Sequence, residues 1–298
     1  MSTDTLRRTA AHDTGADRIQ RRQRNRRIRQ TISHVLLVLV ALAFLFPLIF
    51  TVATALKPAG ETFSTPPSLV GSSIRWQNFV DVFTFVPFHR YILNGMFVAG
   101  AGTIVTLIAS ALSAYAFASL KWRGRDSLFL VFLGTIMVPQ EVLIVPMFIL
   151  MQRFGWVDSY AALIFPWAFT AFGTFLLRQF FKAVPYELQE AARIDGCGPL
   201  RTFLQIMLPM AKPALGVLAV FTFVNFWNSF LWPLVMINDV NARGTVPLGL
   251  ELFFGQNGNQ WHLVMAASVI SILPTLILLL FLQKHLVKGV ATSGLAGR

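Results

Sequence analysis

The chain has a single cysteine, Cys197, in 298 residues, which excludes an internal disulfide and leaves no cysteine-based metal set. Its five histidines (His12, His34, His89, His262 and His285) are scattered, without the paired spacing of a metal site. No G-x-x-x-x-G-K-[ST] string occurs, and the nearest, Gly289 to Gly294, lacks the lysine. The chain is therefore not expected to hydrolyse ATP or to hold a cofactor or metal of its own. Without a His/Asp/Glu constellation, no catalytic residue is assigned and no enzyme is expected. Charge is scarce as well: 13% of residues are charged, against about a quarter in soluble domains, and 55% are hydrophobic. With a mean hydropathy of +0.62, that balance places the chain in a membrane.

The formal net charge is +12, which would raise the question of nucleic acid were the charge not so unevenly distributed. Residues 1–30 hold nine arginines, six of them between Arg21 and Arg29. With little to bury, this tail is expected to be disordered and to lie on anionic lipid rather than on RNA, for which it lacks an aromatic platform. A first span is expected over Ile32–Leu56, too long an apolar run for a cleaved signal peptide. A mixed loop to about Arg90 carries Trp76, Phe79, Phe83 and Phe85, a pattern that suits a short interfacial helix. Further spans are expected at about Tyr91–Leu120, Ser127–Met151, Ala161–Phe181, Ala214–Ile237 and His262–Leu282. The third should be broken at Pro139 and Pro146, and Asn238 to Trp261 should be a polar loop.

Six spans put both termini on one side. The tails, the 121–126 turn and the loop after the fourth span, with its flanks, then hold 20 of the 25 Lys and Arg. The positive-inside rule makes that side cytoplasmic. The expected divisions are an Arg-rich cytoplasmic tail (1–30), a six-helix membrane domain (31–283) and a cytoplasmic tail (284–298). Along the second span, Gly95, Ala99, Gly102, Thr106, Ala109, Ser113 and Ala116 recur in steps of four and three on one helix face. In lipid such a stripe lets helix backbones approach closely, so this span should be packed inside the bundle.

The loop at 184–213 reads VPYELQEAARIDGCGPLRTFLQIMLPMAKP. Pro185 suits a first helical position, Glu187 and Glu190 favour the positive end of the dipole, and Gly196 suits a left-handed C-cap. Pro199 should restart a second short helix, which Pro209 prevents from continuing unbroken. Glu190-Ala191-Ala192, three residues, Gly196, nine residues, then Ile206-x-Leu208-Pro209 resembles the EAA signature of permease subunits of bacterial ABC importers. Strings from Met137-Val138-Pro139 through Arg178-Gln179-Phe180-Phe181 and Trp232-Pro233-Leu234 to Phe281-Leu282-Gln283-Lys284 resemble the carbohydrate branch. They are similar to the second membrane subunit of maltose- and glycerol-3-phosphate-type systems.

The resemblance implies an all-α integral membrane fold, the type I (MetI-like) permease bundle, in a bacterial cell membrane. It implies that Glu190, Ala191, Ala192, Gly196, Ile206, Leu208 and Pro209 form the coupling loop, seated in a cleft of a separate ATPase. The implied partners are a second permease, two ATPase subunits that bind the ATP, and an extracytoplasmic solute-binding protein. The long arginine-rich tail and the Gly294-to-Arg298 ending depart from that pattern.

Within the spans, Thr222, Asn225, Asn228 and Ser229 lie close to one face of the fifth, with Trp227 and Trp232 nearby, and Glu141 is the carboxylate of the third. Polar residues in a span face the bundle or a water-filled path. Glu141, Asn225, Trp227, Asn228 and Ser229 are the candidate path residues. Helix–helix hydrogen bonding is the alternative reading for the polar set. An ion-coupled secondary transporter is the alternative function; against it, no internal repeat is evident and Glu141 is the one well-placed carboxylate.

Overall fold

The computed structural model describes residues 3–64, 68–255 and 258–295. The elements run α1 (Thr3–Ala55), α2 (Gln77–Phe85), α3 (Phe88–Ser119), α4 (Arg125–Gly134), α5 (Ile144–Arg153), α6 (Tyr160–Ile164), α7 (Ala171–Lys182) and α8 (Tyr186–Ile194). They continue with α9 (Pro199–Thr202), α10 (Leu208–Met210), α11 (Lys212–Trp227), α12 (Leu231–Met236), α13 (Val240–Arg243) and α14 (Val246–Glu251). A two-residue antiparallel pair, β1 (Phe254–Gly255) with β2 (Gly258–Asn259), precedes α15 (Trp261–Leu295). Apart from that pair the regular elements of the described chain are all helices.

Among the described residues three helices are long and apolar enough to cross a bilayer alone, at Asn25–Ala55, Phe88–Ser119 and Trp261–Phe281. Three helix pairs pass the same test only together, each bent at a short break: Arg125–Met137 with Gln140–Arg153 at 91°, Tyr160–Trp167 with Ala171–Lys182 at 48°, and Pro199–Met210 with Lys212–Trp227 at 77°. Counting each bent pair as one span gives the expected six, half of them straight helices and half broken ones; counting straight helices alone gives three.

Proline chemistry accounts for most of the breaks. At Pro139 the missing N–H and the ring's clash with the carbonyl four residues back end the helix, as expected. Pro146 does not break the chain a second time, because it falls in the first turn of α5, where its N–H would be unsatisfied anyway. The fourth span, expected to be continuous, turns at Phe165–Trp167 around Pro166. The fifth, also expected to be continuous to Ile237, stops at Trp227 and restarts as α12. Pro233 cannot bond to the Ser229 carbonyl, so the ladder lapses over Asn228–Phe230.

Other expectations shift with the structure. Helix α1 begins at Thr3, so the arginine-rich segment expected to be disordered continues the helix of the first span; Ala, Arg and Gln are good helix formers once an apolar segment has nucleated the turn. Helix α15 likewise passes the expected end of the sixth span at Leu282. The loop at 238–261 contains α13 and α14, whose Val246 and Leu248 are buried in the bundle end. A short helix does form between the first two spans, as α2. The Asn78 amide pins it by donating to the carbonyls of Ala55 at 2.7 Å and Lys57 at 2.8 Å.

The small stripe of α3 is the centre of the bundle. Gly95, Ala99, Gly102 and Thr106 are buried, whereas Phe97, Ile104, Ile108 and Leu112 face outward. A β-carbon on Gly102 would lie 2.7 Å from the Phe226 ring, and one on Gly95 would lie 3.1 Å from the Trp227 ring, so α11 packs backbone-close against α3. Helix α7 packs against the other flank, where Ser113 Oγ and Thr174 Oγ1 are hydrogen-bonded at 2.8 Å. Two apolar cores result. One holds Tyr91, Val98, Phe226, Trp227 and Met236; the other holds Tyr115, Leu177, Phe181, Phe203, Met207 and Leu218 at the end nearer the loop after α7.

Candidate functional site: a coupling loop and a cavity joined by one helix

The loop after α7 is a helical hairpin, α8 and α9. Pro185 sits one residue before the first helical position rather than at it, with extended ψ of 130°. The C-terminus of α8 closes as a Schellman motif: Cys197 N donates to Ala192 O at 2.8 Å and Gly196 N to Arg193 O at 3.0 Å. Gly196 has φ of 79°, the left-handed conformation that its place in the sequence predicts. Pro199 opens α9 as expected.

Beyond α9 the backbone widens into a π-helical turn over Phe203–Met207, and the 77° bend follows at Ala211. Pro209, with no N–H to offer Gln205 O, explains the irregular pitch. The break itself comes two residues later, just before Lys212-Pro213.

Glu190, Ala191 and Gly196 are exposed, and so are Ile194 and Leu200, two large apolar side chains standing free on a polar hairpin. Ala192 departs from the expectation that both alanines face a partner: it is buried beneath the hairpin, and Ala191 alone faces out. Ile206 and Leu208 are half-buried and Pro209 is exposed, while Phe203 and Met207 between them anchor the hairpin in the core formed with α3 and α7. Tyr115 Oη donates to Pro199 O at 3.0 Å, and the Lys121 ammonium lies 5.7 Å from the centre of the Tyr186 ring.

At the other end of α11 lies a cavity of about 410 Å³, formed where helices break. Gln140, Glu141 and Ile144 come from the restart of the third span, Trp167 from the turn of the fourth, and Asn225, Asn228, Ser229 and Trp232 from the end of α11 and the start of α12. Irregular backbone at membrane depth is tolerated where it lines a cavity, and broken helices are a recurrent way to build a polar site there. Four of the five candidate path residues are thus brought together: Glu141, Asn225, Asn228 and Ser229.

Trp227 is not among them. It is buried against Phe223, the rings stacked at 6.0 Å and 10°, and its indole N–H donates to Ser271 O of α15 at 3.1 Å. It packs the bundle because a helix turns 100° per residue, which points it away from Asn225 and Asn228. Trp232 is at the wall, with its N–H given to Ala162 O at 2.8 Å. Sequence reasoning missed Trp167, which meets Trp232 edge-to-face at 5.3 Å and 89°. Among the described residues its buried indole N–H finds no acceptor. The string Phe165-Pro166-Trp167 was the available signal, a proline breaking a span beside a ring that carries a polar edge.

The family model described as "Binding-protein-dependent transport system inner membrane component" matches residues 106–292. Among curated relatives, the sn-glycerol-3-phosphate transport system permease protein UgpE of Pectobacterium atrosepticum is 38% identical over 277 residues, covering 90% of this chain and 98% of its own. UgpE of Salmonella choleraesuis is 37% identical over 278 residues, with the same coverage. Among solved structures, a chain of a bacterial ABC transporter that imports the acidic polysaccharide alginate superposes with a TM-score of 0.75 at 23% identity, over 87% of this chain and 96% of that one. A second chain, from the alginate transporter bound to its pentasaccharide-loaded periplasmic protein, gives a TM-score of 0.62 at 16% identity.

Proposed function

The chain belongs to the family of inner membrane components of binding-protein-dependent transport systems, and on that premise we propose that it is the permease half of an ABC importer for a sugar or sugar-phosphate-like solute. The observation that carries this reading is that α11 joins the two candidate regions. It starts at Lys212, at the base of the hairpin, and ends at Trp227, at the edge of the cavity, about 24 Å away at 1.5 Å per residue. A displacement of the hairpin, carried across the bend at Ala211, therefore reaches the cavity wall along a single helix.

The relatives are named for sn-glycerol-3-phosphate, which supports a small polyhydroxylated solute. The amides of Asn225 and Asn228 and the hydroxyl of Ser229 suit its hydroxyl groups, and the rings of Trp167 and Trp232 suit its C–H faces. Glu190, Ala191, Gly196, Ile194 and Leu200 are the surface offered to an ATPase, and a second permease completes the path. ATP chemistry belongs to that ATPase, and an extracytoplasmic binding protein delivers the solute. Both termini and the hairpin face the cytoplasm in this reading, as the distribution of basic residues supports.

Cysteine accessibility tests orientation and docking together, in a Cys197→Ala background. Ala242→Cys, in the loop between α12 and α14, should label with an impermeant maleimide in intact cells. Ala191→Cys should label only in inside-out vesicles, and bound ATPase should protect it. Labelling of Ala191→Cys from outside, or its indifference to the ATPase, would contradict the proposal.

A further inference from the structure

Arg178 is a buried cation, 6% exposed, on the last full turn of α7 before the coupling hairpin. Its guanidinium makes three contacts with neighbouring elements. Nε donates to Phe117 O of α3 at 3.1 Å, Nη2 donates to Asp126 Oδ1 of α4 at 2.9 Å, and Cζ lies over the Phe129 ring, 3.9 Å from its centre. Arg125 grips the same carboxylate from the other side, at 3.2 Å. One side chain thus ties the end of α3, the start of α4 and the base of the hairpin. A guanidinium suits this work because its planar fork bonds in two directions while its face stacks on a ring.

The connection continues in one direction only. From Asp126, α4 and the 3-10 turn over Thr135–Met137 that extends it run to the break at Val138–Pro139, and the next two residues, Gln140 and Glu141, line the cavity. The chain therefore has two routes from hairpin to cavity: α11 on one wall, and α7 through Arg178 to α4 on the other. We propose that Arg178 is a positioning residue that makes α4 follow the coupling hairpin, so that the Glu141 wall of the cavity moves when the ATPase moves the loop. The proposal rests on the importer reading above.

Because Arg178 is buried, its removal endangers folding, so the test falls on its partner, whose side chain is two-thirds exposed. The complete complex, in proteoliposomes with its binding protein, is assayed for solute uptake and for ATP hydrolysis stimulated by that protein. Asp126→Asn should leave assembly and stimulated hydrolysis near wild type and lower solute molecules imported per ATP by about fivefold, the low end of typical coupling between sites. Asp126→Glu should restore the ratio, and Arg178→Lys, which keeps charge but loses the second bond and the stacking, should fall between. If uptake and hydrolysis drop together in proportion to complex abundance, the ion pair only holds the fold and the proposal is overturned. An unchanged ratio in both Asp126→Asn and Arg178→Lys overturns it equally. A wild-type complex whose uptake ignores ATP would instead overturn the importer reading on which it rests.

Discussion

Gly196→Pro is expected to reduce solute uptake to near background while the protein still reaches the membrane at normal abundance. The residue closes α8 at φ of 79°, and its N–H donates to Arg193 O. Proline fixes φ near −65° and has no N–H, so both requirements of the Schellman closure fail together. The cost, about 3 kcal/mol or more for a misplaced proline, falls on an exposed hairpin rather than on the bundle. Glu190 and Ala191 would then be presented at the wrong angle, and the spans would remain folded. Gly196→Ala is the control: no heavy atom lies within 4 Å of the added carbon, so its penalty is the left-handed backbone alone, about 1–2 kcal/mol. Uptake, membrane abundance and co-purifying ATPase are measured for both. Normal uptake by Gly196→Pro would make the hairpin a passive connector.

Gly102→Leu should have the next largest effect, on assembly. Even a single β-carbon there would sit 2.7 Å from the Phe226 ring, which is itself part of the cavity wall. Overpacking typically costs about 1–3 kcal/mol, and a helix contact in lipid has no hydrophobic term with which to offset it. The yield of intact complex and its thermal stability should fall, whereas Ile104→Leu, on the outward face, should behave as wild type. Equal yields from the two variants would show that the stripe of small residues is not a packing seam.

These two positions were legible in the sequence for the same reason. Each is a local rule with one physical solution: a glycine where the backbone must be left-handed, and small residues in steps of four and three where backbones must approach. The signature hairpin and the three straight spans were legible likewise. What escaped depended on partners distant in sequence. Trp227 and Asn228 are neighbours in the chain, yet one is held by Ser271 of α15 and the other opens onto the cavity. Nothing local separates Ala191 from Ala192, since burial of the second depends on how the hairpin is seated. The fourth and fifth spans read as continuous because their apolar runs are continuous, while Pro166 and Pro233 divide them into the ends that build the cavity. Trp167 was overlooked for that reason.

Arg178 shows the same limit in another form. Its sequence neighbours suggest only the end of a span with a basic flank. The contacts to Phe117, Asp126 and Phe129 appear once α3 and α4 are folded back on α7.

The central claim is that motion of the hairpin, driven by ATP in a partner, opens and closes the cavity. Uptake of the solute by cells or vesicles carrying the complete system, with the proton gradient collapsed by a protonophore and ATP held constant, tests it most directly. Uptake should continue at its initial rate under those conditions and stop when ATP is depleted with the gradient intact. Uptake that collapses with the gradient while ATP is maintained would contradict the account and identify an ion-coupled carrier instead.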